Sequence, residues 1–178
     1  MFDIGIDLGT SAVKLLLVSD AGTVQRTVSR SYPLEFPQPG WSQQNPEDWW
    51  NAILDGIPEL IAGINPEEIG GIGVAGQMHG LVALDRDGNV LRPAILWNDG
   101  RTAEETEYLN SEIGKNFLLR HTGNIAFAGF TAPKLLWMKK HEPELFGRIA
   151  RILLPKDYVG YKLTGRYTTD YSDGAGTL

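Results

Sequence analysis

Asp7 and the residues after it are the first whose types and spacing could support chemistry. A carboxylate, a glycine, two hydroxyls and an amine follow one another at Asp7, Gly9, Thr10, Ser11 and Lys14. A carboxylate beside a glycine turn with free backbone N–H groups suits Mg²⁺ and phosphate oxygens, and a glycine lets the backbone approach a phosphate closely. The pattern predicts a metal site at Asp7 and phosphate contacts at Thr10, Ser11 and Lys14. An ordinary β-hairpin is the alternative.

A second group of polar side chains lies between Gly76 and Gly80. Gln77, Met78 and His79 follow a run of small and β-branched residues that is typical of a buried strand. Ligand sites in α/β sheets favour the loops at strand ends. The Gln77 amide and the His79 imidazole can hydrogen-bond the hydroxyls of a sugar or polyol. The alternative is that His79 is a structural histidine of the turn.

A third group follows another predicted strand. Trp97, Asn98 and Asp99 combine an apolar ring, an amide and a carboxylate, and Gly100 and Arg101 come next. A few polar groups beside an apolar surface are suited to sugar binding. Asn98 or Asp99 can equally cap the helix that follows. Both interpretations remain open from the residues alone.

Two further polar stretches near the end of the sequence carry a weaker functional signal. Pro155 and Asp157 are typical of the first turn of a helix. Asp170, Ser172 and Asp173 lie in a polar, glycine-rich tail, where they could reach a ligand or a partner domain.

Composition and charge exclude several classes of protein. The 178 residues carry 16 basic and 22 acidic side chains, a formal charge of −6, which argues against a nucleic-acid or anionic-membrane partner. Cysteine is absent, so no disulfide framework or thiolate zinc site is expected. No Walker A, nucleophile-elbow or dinucleotide-fingerprint motif is present. No apolar run is long enough to span a bilayer, and we expect a cytoplasmic protein.

The spacing of apolar residues predicts the elements that position these groups. Residues 2–32 predict three antiparallel strands in a meander, with residues 13–18 as a central strand buried on both faces. Asn45 predicts the cap of a helix that Pro58 kinks or breaks. Residues 72–75 predict a buried strand.

The second half of the chain alternates between predicted helices and strands. A helix after Arg101 pairs that residue with Glu105 at i,i+4, and Thr131 caps a later helix. The other predictions are a hairpin over residues 81–91, a strand at 95–97, a loop at 121–124, a helix at 144–148, a strand at 152–154 and a helix at 155–163. The order predicts an α/β fold, a mixed sheet with flanking helices.

Four strings in this sequence resemble the FGGY carbohydrate kinases. They are residues 4–11, 75–80, 93–101 and 153–158, and residues 130–137 and 170–173 fit as well. The first string is shared with the wider superfamily of sugar kinases, actin and Hsp70. The Gln-Met-His-Gly and Trp-Asn-Asp-Gly-Arg strings are much more specific, and the resemblance extends from residue 2 to the end.

The resemblance implies a ribonuclease-H-like, actin-like fold and two such domains closing over ATP, Mg²⁺ and D-xylulose or a related ketose. It places Asp7 near the metal and phosphates, Thr10 and Ser11 on a phosphate hairpin, and Met78 and His79 at the sugar. It also implies that the catalytic base, an aspartate, and the adenine-binding domain lie outside this chain. Residues 1–178 are then an N-terminal sugar-binding domain, incomplete at its C-terminal end, and we expect them to be inactive alone.

Two alternatives stay open. The first is an FGGY kinase for another polyol, such as ribulose, fuculose, gluconate or glycerol. The second is a non-catalytic actin-like binding or assembly module, which would have no need for polar sugar-facing groups at two strand ends. An exposed sheet edge would also allow a homodimer.

Overall fold

The computed structural model describes all residues from 1 to 178. Its strands are β1 (Phe2–Leu8), β2 (Ala12–Ser19), β3 (Val24–Ser31), β4 (Gln43–Gln44), β5 (Ile69–Gly76), β6 (Val82–Leu84), β7 (Ala94–Ile95) and β8 (Arg151–Leu153). Its helices are α1 (Pro46–Leu60), α2 (Ala103–Tyr108), α3 (Lys115–Thr122), α4 (Thr131–His141), α5 (Pro143–Arg148), α6 (Pro155–Thr164) and α7 (Tyr171–Gly174). A π-helical turn over Leu109–Gly114 joins α2 to α3, and 3₁₀ turns lie at Pro66–Glu68 and Ala175–Thr177.

A four-stranded mixed sheet carries one side of the candidate site. The strand order is β3-β2-β1-β5. The first three strands form the predicted antiparallel meander, and β5 pairs in parallel with β1. Two-stranded sheets β4-β7 and β6-β8 extend the fold. The prediction of an α/β fold with a mixed sheet and flanking helices is confirmed.

Helix α1 covers one face of this sheet and forms the main core with it. Asn45 caps the helix by accepting a hydrogen bond from the Glu47 backbone N–H, as predicted. Trp49 and Ile53 are buried against alternate residues of β1 and β2. The predicted break at Pro58 is wrong, because the helix continues to Leu60. Proline in the last turn removes only one helical hydrogen bond, next to the end of the helix.

The other face of the sheet is open, which corrects two predictions of burial. In β2 the residues alternate, so Leu15 and Leu17 are buried while Leu16 and Val18 are only half-buried. Strand β5 is the edge of the sheet, and Ile72 is 49% exposed. A near-continuous apolar run does not distinguish a strand covered on both faces from one covered on a single face.

Several pairings in the second half differ from the local expectation. The predicted hairpin over residues 81–91 is present but short: a bridge joins Leu84 and Val90, and the Leu91 N–H donates to the Ala83 carbonyl at 3.0 Å. Strand β6 also pairs with β8. The predicted pair between Arg101 and Glu105 is wrong, because Arg101 bonds Asp99.

The other predicted elements are present, with small shifts in their bounds. His121 and Thr122, predicted in a loop, are the last residues of α3, and the tail forms α7 and a 3₁₀ turn. No helix combines the length and hydropathy needed to cross a bilayer.

Candidate functional site

The turn between β1 and β2 offers two free backbone donors. The Gly9 N–H is already used, since it faces the carbonyl oxygens of Asp7 at 3.2 Å and Ala12 at 3.1 Å. The N–H groups of Thr10 and Ser11 donate to no protein acceptor. The turn therefore presents two amides and two hydroxyl side chains where an anion could bind.

Asp7 and Lys14 lie on the open face of the sheet beside this turn. They are directly opposite each other across β1 and β2. Both are exposed, and neither forms an ion pair. The residues beside Asp7 on this face are small (Gly5, Gly73 and Ala75), and with Leu16 they line a groove of about 360 Å³. The space around Asp7 is therefore open to a ligand.

The carboxylate of Asp7 would be the lone acidic ligand of any metal held here. No group of three or more histidine, aspartate and glutamate side chains in the chain could hold a metal ion. Mg²⁺ commonly binds through one or two carboxylates together with waters and substrate phosphates. The donor set therefore fits Mg²⁺ that arrives with a phosphorylated ligand and does not fit a metal caged by protein alone.

Gln44 is buried, and its side-chain amide holds the turn between β1 and β2 in place. The sequence analysis did not identify this residue. Its Nε2 donates to the carbonyl oxygens of Thr10 at 2.8 Å and Pro33 at 3.0 Å. Its Oε1 accepts from Trp49 Nε1 at 3.0 Å and from Gln77 Nε2 at 3.3 Å. One amide thus joins four segments, and nothing local in the sequence marks it.

Tyr32 provides a second support for the turn. Its hydroxyl donates to the Gly9 carbonyl. Burial, helped by the negative charge of Asp7, raises the pKa of Tyr32 well above its usual value. The hydroxyl therefore keeps its proton and remains a donor to the turn.

Gln77 connects the loop after β5 to the turn between β1 and β2. Its backbone N–H donates to the Leu8 carbonyl at 2.7 Å, and its Nε2 lies 3.5 Å from the Gly9 carbonyl. Gly76 makes this approach possible, because a Cβ there would lie 2.5 Å from the Leu8 Cβ. Gln77 Oε1 is buried and has no partner. The amide nitrogen is thus committed to the protein, and the predicted sugar contact of Gln77 stays a prediction.

His79 has an unusual backbone and a well-supported ring. Its φ is 63°, the one positive value at a non-glycine residue in the chain. The imidazole stacks on Phe130 with ring centroids 4.7 Å apart. Nδ1 lies 2.9 Å from the Gly176 carbonyl oxygen. Met78 beside it is half-buried.

Helix α4 holds the carbonyl of His79. Thr131 Oγ1 donates to it at 3.0 Å and Lys134 Nζ at 2.9 Å. The prediction that the Thr131 side chain caps α4 is therefore wrong, and the N-cap is Phe130. Lys134 also donates to the Gly129 carbonyl. Its side chain is fully buried, and sequence reasoning did not single it out.

The third predicted group divides into exposed and buried members. Trp97 is 49% exposed, and its Nε1 donates to Thr10 Oγ1 at 3.0 Å. Asn98 is exposed. Asp99 is buried and bonded by Arg101 and by the backbone N–H of Ser42. Both oxygens of Asp99 are therefore bonded within the protein, and its predicted sugar contact stays a prediction.

The tail folds back onto the same region. Lys156 Nζ lies 2.6 Å from carboxylate oxygens of Asp157 and Asp170 and 3.4 Å from one of Asp173. Burial lowers the pKa of Lys156, but the neighbouring carboxylates outweigh that effect and the net pKa is raised. The amine stays charged and anchors α7. Asp170 and Asp173 therefore form ion pairs with Lys156 of the same chain.

The fold brings the loops at two strand ends together into one site. An α/β domain brings a turn with two unbonded amides within hydrogen-bond reach of a half-exposed tryptophan and of the Gln77 loop, with His79 two residues further on. Free amides and hydroxyls on one side, and an imidazole with apolar surface on the other, suit a phosphate donor and a polyol acceptor.

The comparison with known families agrees with this arrangement. Residues 2–178 match the family described as the FGGY family of carbohydrate kinases, N-terminal domain. The chain belongs to that family, as the motifs predicted.

Xylulose kinases are among its relatives. The Bacillus subtilis enzyme is 51% identical over 177 residues, which are 98% of this chain and 35% of that protein. The Staphylococcus xylosus enzyme is 47% identical over 175 residues, covering 98% of this chain and 36% of that protein. The chain thus spans little more than a third of the length of these relatives.

Solved structures show the same fold. A xylulose kinase from Rhodospirillum rubrum superposes with a TM-score of 0.93 at 34% identity, covering 99% of this chain and 37% of that one. A Plasmodium falciparum glycerol kinase with ADP gives a TM-score of 0.88 at 20% identity, covering 99% and 37%. The second likeness shows the fold alone.

Proposed function

We propose that this chain is the N-terminal part of an ATP-dependent kinase that phosphorylates D-xylulose to D-xylulose 5-phosphate. The relatives support the sugar, since xylulose kinases match at up to 51% identity. The observation that carries the site is the hydrogen bond from Trp97 to Thr10. It joins the loop proposed for the sugar to the turn proposed for phosphate, as transfer between two bound substrates requires. Such an enzyme would work in the cytoplasm, where ATP is available.

On the phosphate side, the proposal uses groups that the protein leaves free. The N–H groups of Thr10 and Ser11 and the amine of Lys14 would bind phosphate oxygens. Asp7 would hold Mg²⁺ together with those oxygens and water. When bound, Mg²⁺ neutralises charge on the phosphoryl group that is transferred. The turn itself is held by Gln44 and Tyr32.

On the sugar side, His79 Nε2 would accept a hydrogen bond from a sugar hydroxyl. The Trp97 ring and the Met78 side chain would pack against the carbon face of the sugar, and Asn98 would bind hydroxyls at its rim. Asp99 would act indirectly, by holding the loop that carries the other two residues.

We further propose that the general base lies outside residues 1–178. Asp99, Asp157, Asp170 and Asp173 are engaged in ion pairs, and Asp7 is the free carboxylate on the phosphate side. The coverage of the relatives leaves ample chain for a base and a second domain. Residues 1–178 alone would therefore not catalyse the transfer, because alignment, base and exclusion of water would be incomplete.

A coupled assay of ADP release tests the proposal. The full-length protein is offered D-xylulose, ribulose, fuculose, gluconate and glycerol, and residues 1–178 are assayed in parallel. We expect turnover that is highest with D-xylulose in the full-length protein and none in the isolated chain. Higher kcat/KM for another polyol would replace the proposed substrate, and normal turnover by residues 1–178 would place the base inside them.

A histidine variant tests the sugar side. His79→Ala should raise KM for D-xylulose at least tenfold, because a buried hydrogen bond to the substrate is lost. His121→Ala is the matched control, since His121 is exposed and bonds only its own helix. Equal KM values for both variants would remove His79 from the sugar site.

Gluconate is the competing substrate with structural support. A gluconate kinase from Lactobacillus acidophilus superposes with a TM-score of 0.92 at 30% identity, covering 99% of this chain and 36% of that one. An assembly module would behave differently again. It would show nucleotide-dependent polymerisation and no turnover with any member of the panel.

A further inference from the structure

The backbone at His79 is in a conformation that the rest of the fold must stabilise. A side chain in the left-handed region costs about 1–2 kcal/mol, and His79 is the one non-glycine residue of the chain found there. Such backbone persists only where its surroundings determine it, and it is common at ligand sites.

Two side chains of α4 determine the backbone of His79 by bonding its carbonyl. Thr131 contributes a neutral hydroxyl, and Lys134 contributes an amine that forms no ion pair. The acceptors of Lys134 are two backbone carbonyls, those of His79 and Gly129. Burying an amine without a carboxylate is costly, and burial lowers the pKa of Lys134 to about 7. A gain in stability is therefore a poor explanation for a lysine at position 134. The need to hold the carbonyls of His79 and Gly129 is a better one.

The ring of His79 is held by the tail. Its Nδ1 lies 2.9 Å from the Gly176 oxygen. A carbonyl oxygen can only accept, so Nδ1 must carry the hydrogen. In the neutral ring Nε2 is then an acceptor. Gly176 has no room for a side chain, because a Cβ would lie 2.5 Å from Nδ1.

Two contacts with the residues before Gly176 hold it in this position. Asn124 Nδ2 donates to the Ala175 carbonyl at 2.8 Å. Lys156 binds Asp170 and Asp173 at the start of α7. The tail is thus anchored by two separate contacts just before Gly176, and neither of them involves the His79 ring.

We propose that Lys134 and Gly176 are positioning residues for His79. Lys134 holds its left-handed backbone, and the Gly176 carbonyl selects the tautomer in which Nε2 is the acceptor. The site would then select a ligand that presents a hydroxyl donor to Nε2 and disfavour one that presents a carbonyl oxygen. The choice of a sugar hydroxyl rests on the proposed function, whereas the tautomer does not.

Nitrogen NMR on protein labelled with ¹⁵N-histidine tests the tautomer directly. The chain has three histidines, and the His79→Ala spectrum assigns the His79 signals. In the full-length protein, at a pH where a titration shows the ring to be neutral, we expect the Nδ1–H form. A predominant Nε2–H form would overturn the proposal, whatever the substrate proves to be.

Gly176→Ala tests the carbonyl contact, and Gly174→Ala is its matched control. A Cβ at Gly174 would meet nothing closer than 3.7 Å. We expect Gly176→Ala to produce a mixture of tautomers and to raise KM for D-xylulose about tenfold, the effect of one hydrogen bond. Gly174→Ala should leave both unchanged. If His79 kept the wild-type tautomer in the Gly176→Ala variant, the proposed role of the Gly176 carbonyl would be contradicted.

Lys134→Met tests the backbone contact, with Lys139→Met as control because Lys139 is exposed on the same helix. Lys134→Met should shift the His79 signals and raise KM about tenfold with kcat changed less than threefold. If it fails to fold, Thr131→Val against Thr131→Ser probes the same carbonyl. Unchanged His79 signals in whichever of these variants folds would overturn the role of α4. Absence of D-xylulose turnover in wild type would refute the proposed function and leave the tautomer result standing.

Discussion

Replacing Asp99 by asparagine should destabilise the protein strongly, because Asp99 neutralises a buried arginine. Both side chains of the pair with Arg101 are 0% exposed. Asp99 Oδ1 accepts from Arg101 N and Nε, each at 2.9 Å. Oδ2 accepts from Arg101 Nη2 at 2.8 Å and from Ser42 N at 2.5 Å. Four donors therefore converge on one carboxylate.

The cost of Asp99→Asn follows from those four donors. Asparagine has nearly the same shape but offers an NH₂ group where two of the donors point. The Arg101 guanidinium would keep the remaining amide oxygen, the Gln43 Oε1 at 3.2 Å and the rings of Trp41 at 3.9 Å and Trp137 at 5.0 Å, but it would face no negative charge. Removing one partner of a buried pair costs about 3–5 kcal/mol. That is a large part of the ~5–15 kcal/mol by which proteins are stable.

Urea unfolding of the full-length protein, followed by tryptophan fluorescence, measures this loss. Lys140→Met is the control for an exposed pair, since Lys140 bonds Glu104 with both side chains more than half exposed, and it should cost at most about 1 kcal/mol. The double variant Asp99→Leu/Arg101→Met should recover much of the loss, because no unpaired charge remains.

A small effect would refute this reasoning. If Asp99→Asn lowered the free energy of unfolding by less than about 1 kcal/mol while raising KM for D-xylulose, Asp99 would be a sugar ligand after all. We expect the opposite pattern.

Three further predictions concern stability and the phosphate turn. Lys134 has a pKa of about 7 when folded against 10.5 in its ordinary state, so the unfolded chain binds the extra proton between these values. Wild-type stability should therefore rise by up to ~1.4 kcal/mol per pH unit from pH 7 towards 10 relative to Lys134→Met in urea titrations, and parallel curves would contradict this. Gln44→Leu should cost about 2–3 kcal/mol, because it leaves two backbone carbonyls and the Trp49 indole N–H without a partner. It should also weaken phosphate binding in calorimetry, and exposed Gln25→Leu is its control. Trp97→Phe removes the bond to Thr10 and should raise KM for ATP or D-xylulose about tenfold. Unchanged KM values for both substrates would show that this bond does not link phosphate binding to sugar binding.

Local patterns were sufficient to predict most of the elements. Alternation placed β1 and β3, a near-continuous apolar run placed β2, and Asn45 caps the helix that it was expected to begin. Gly165 ends α6 in the left-handed conformation. These signals act over a few residues, through side-chain periodicity and capping bonds, so the sequence carries them without reference to the rest of the fold.

Burial and pairing could not be predicted in the same way. Asp99 has the residue type of a sugar ligand, and only the approach of Ser42 and Arg101 makes it part of a buried ion pair. Strand β5 has the composition of a central strand, and its place at the sheet edge leaves Ile72 exposed. Both outcomes depend on which surfaces meet.

By itself, the sequence determined the family, the α/β class and the chemical types at the ends of three strands. Only the tertiary structure decided which of those groups are free. Thr10 and Ser11 keep unpaired amides, whereas His79 is held by Lys134, 55 residues away, and by Gly176, 97 residues away. The reason is physical: a hydrogen bond depends on positions within about 3 Å, and no local pattern specifies the separation of atoms so far apart in the chain.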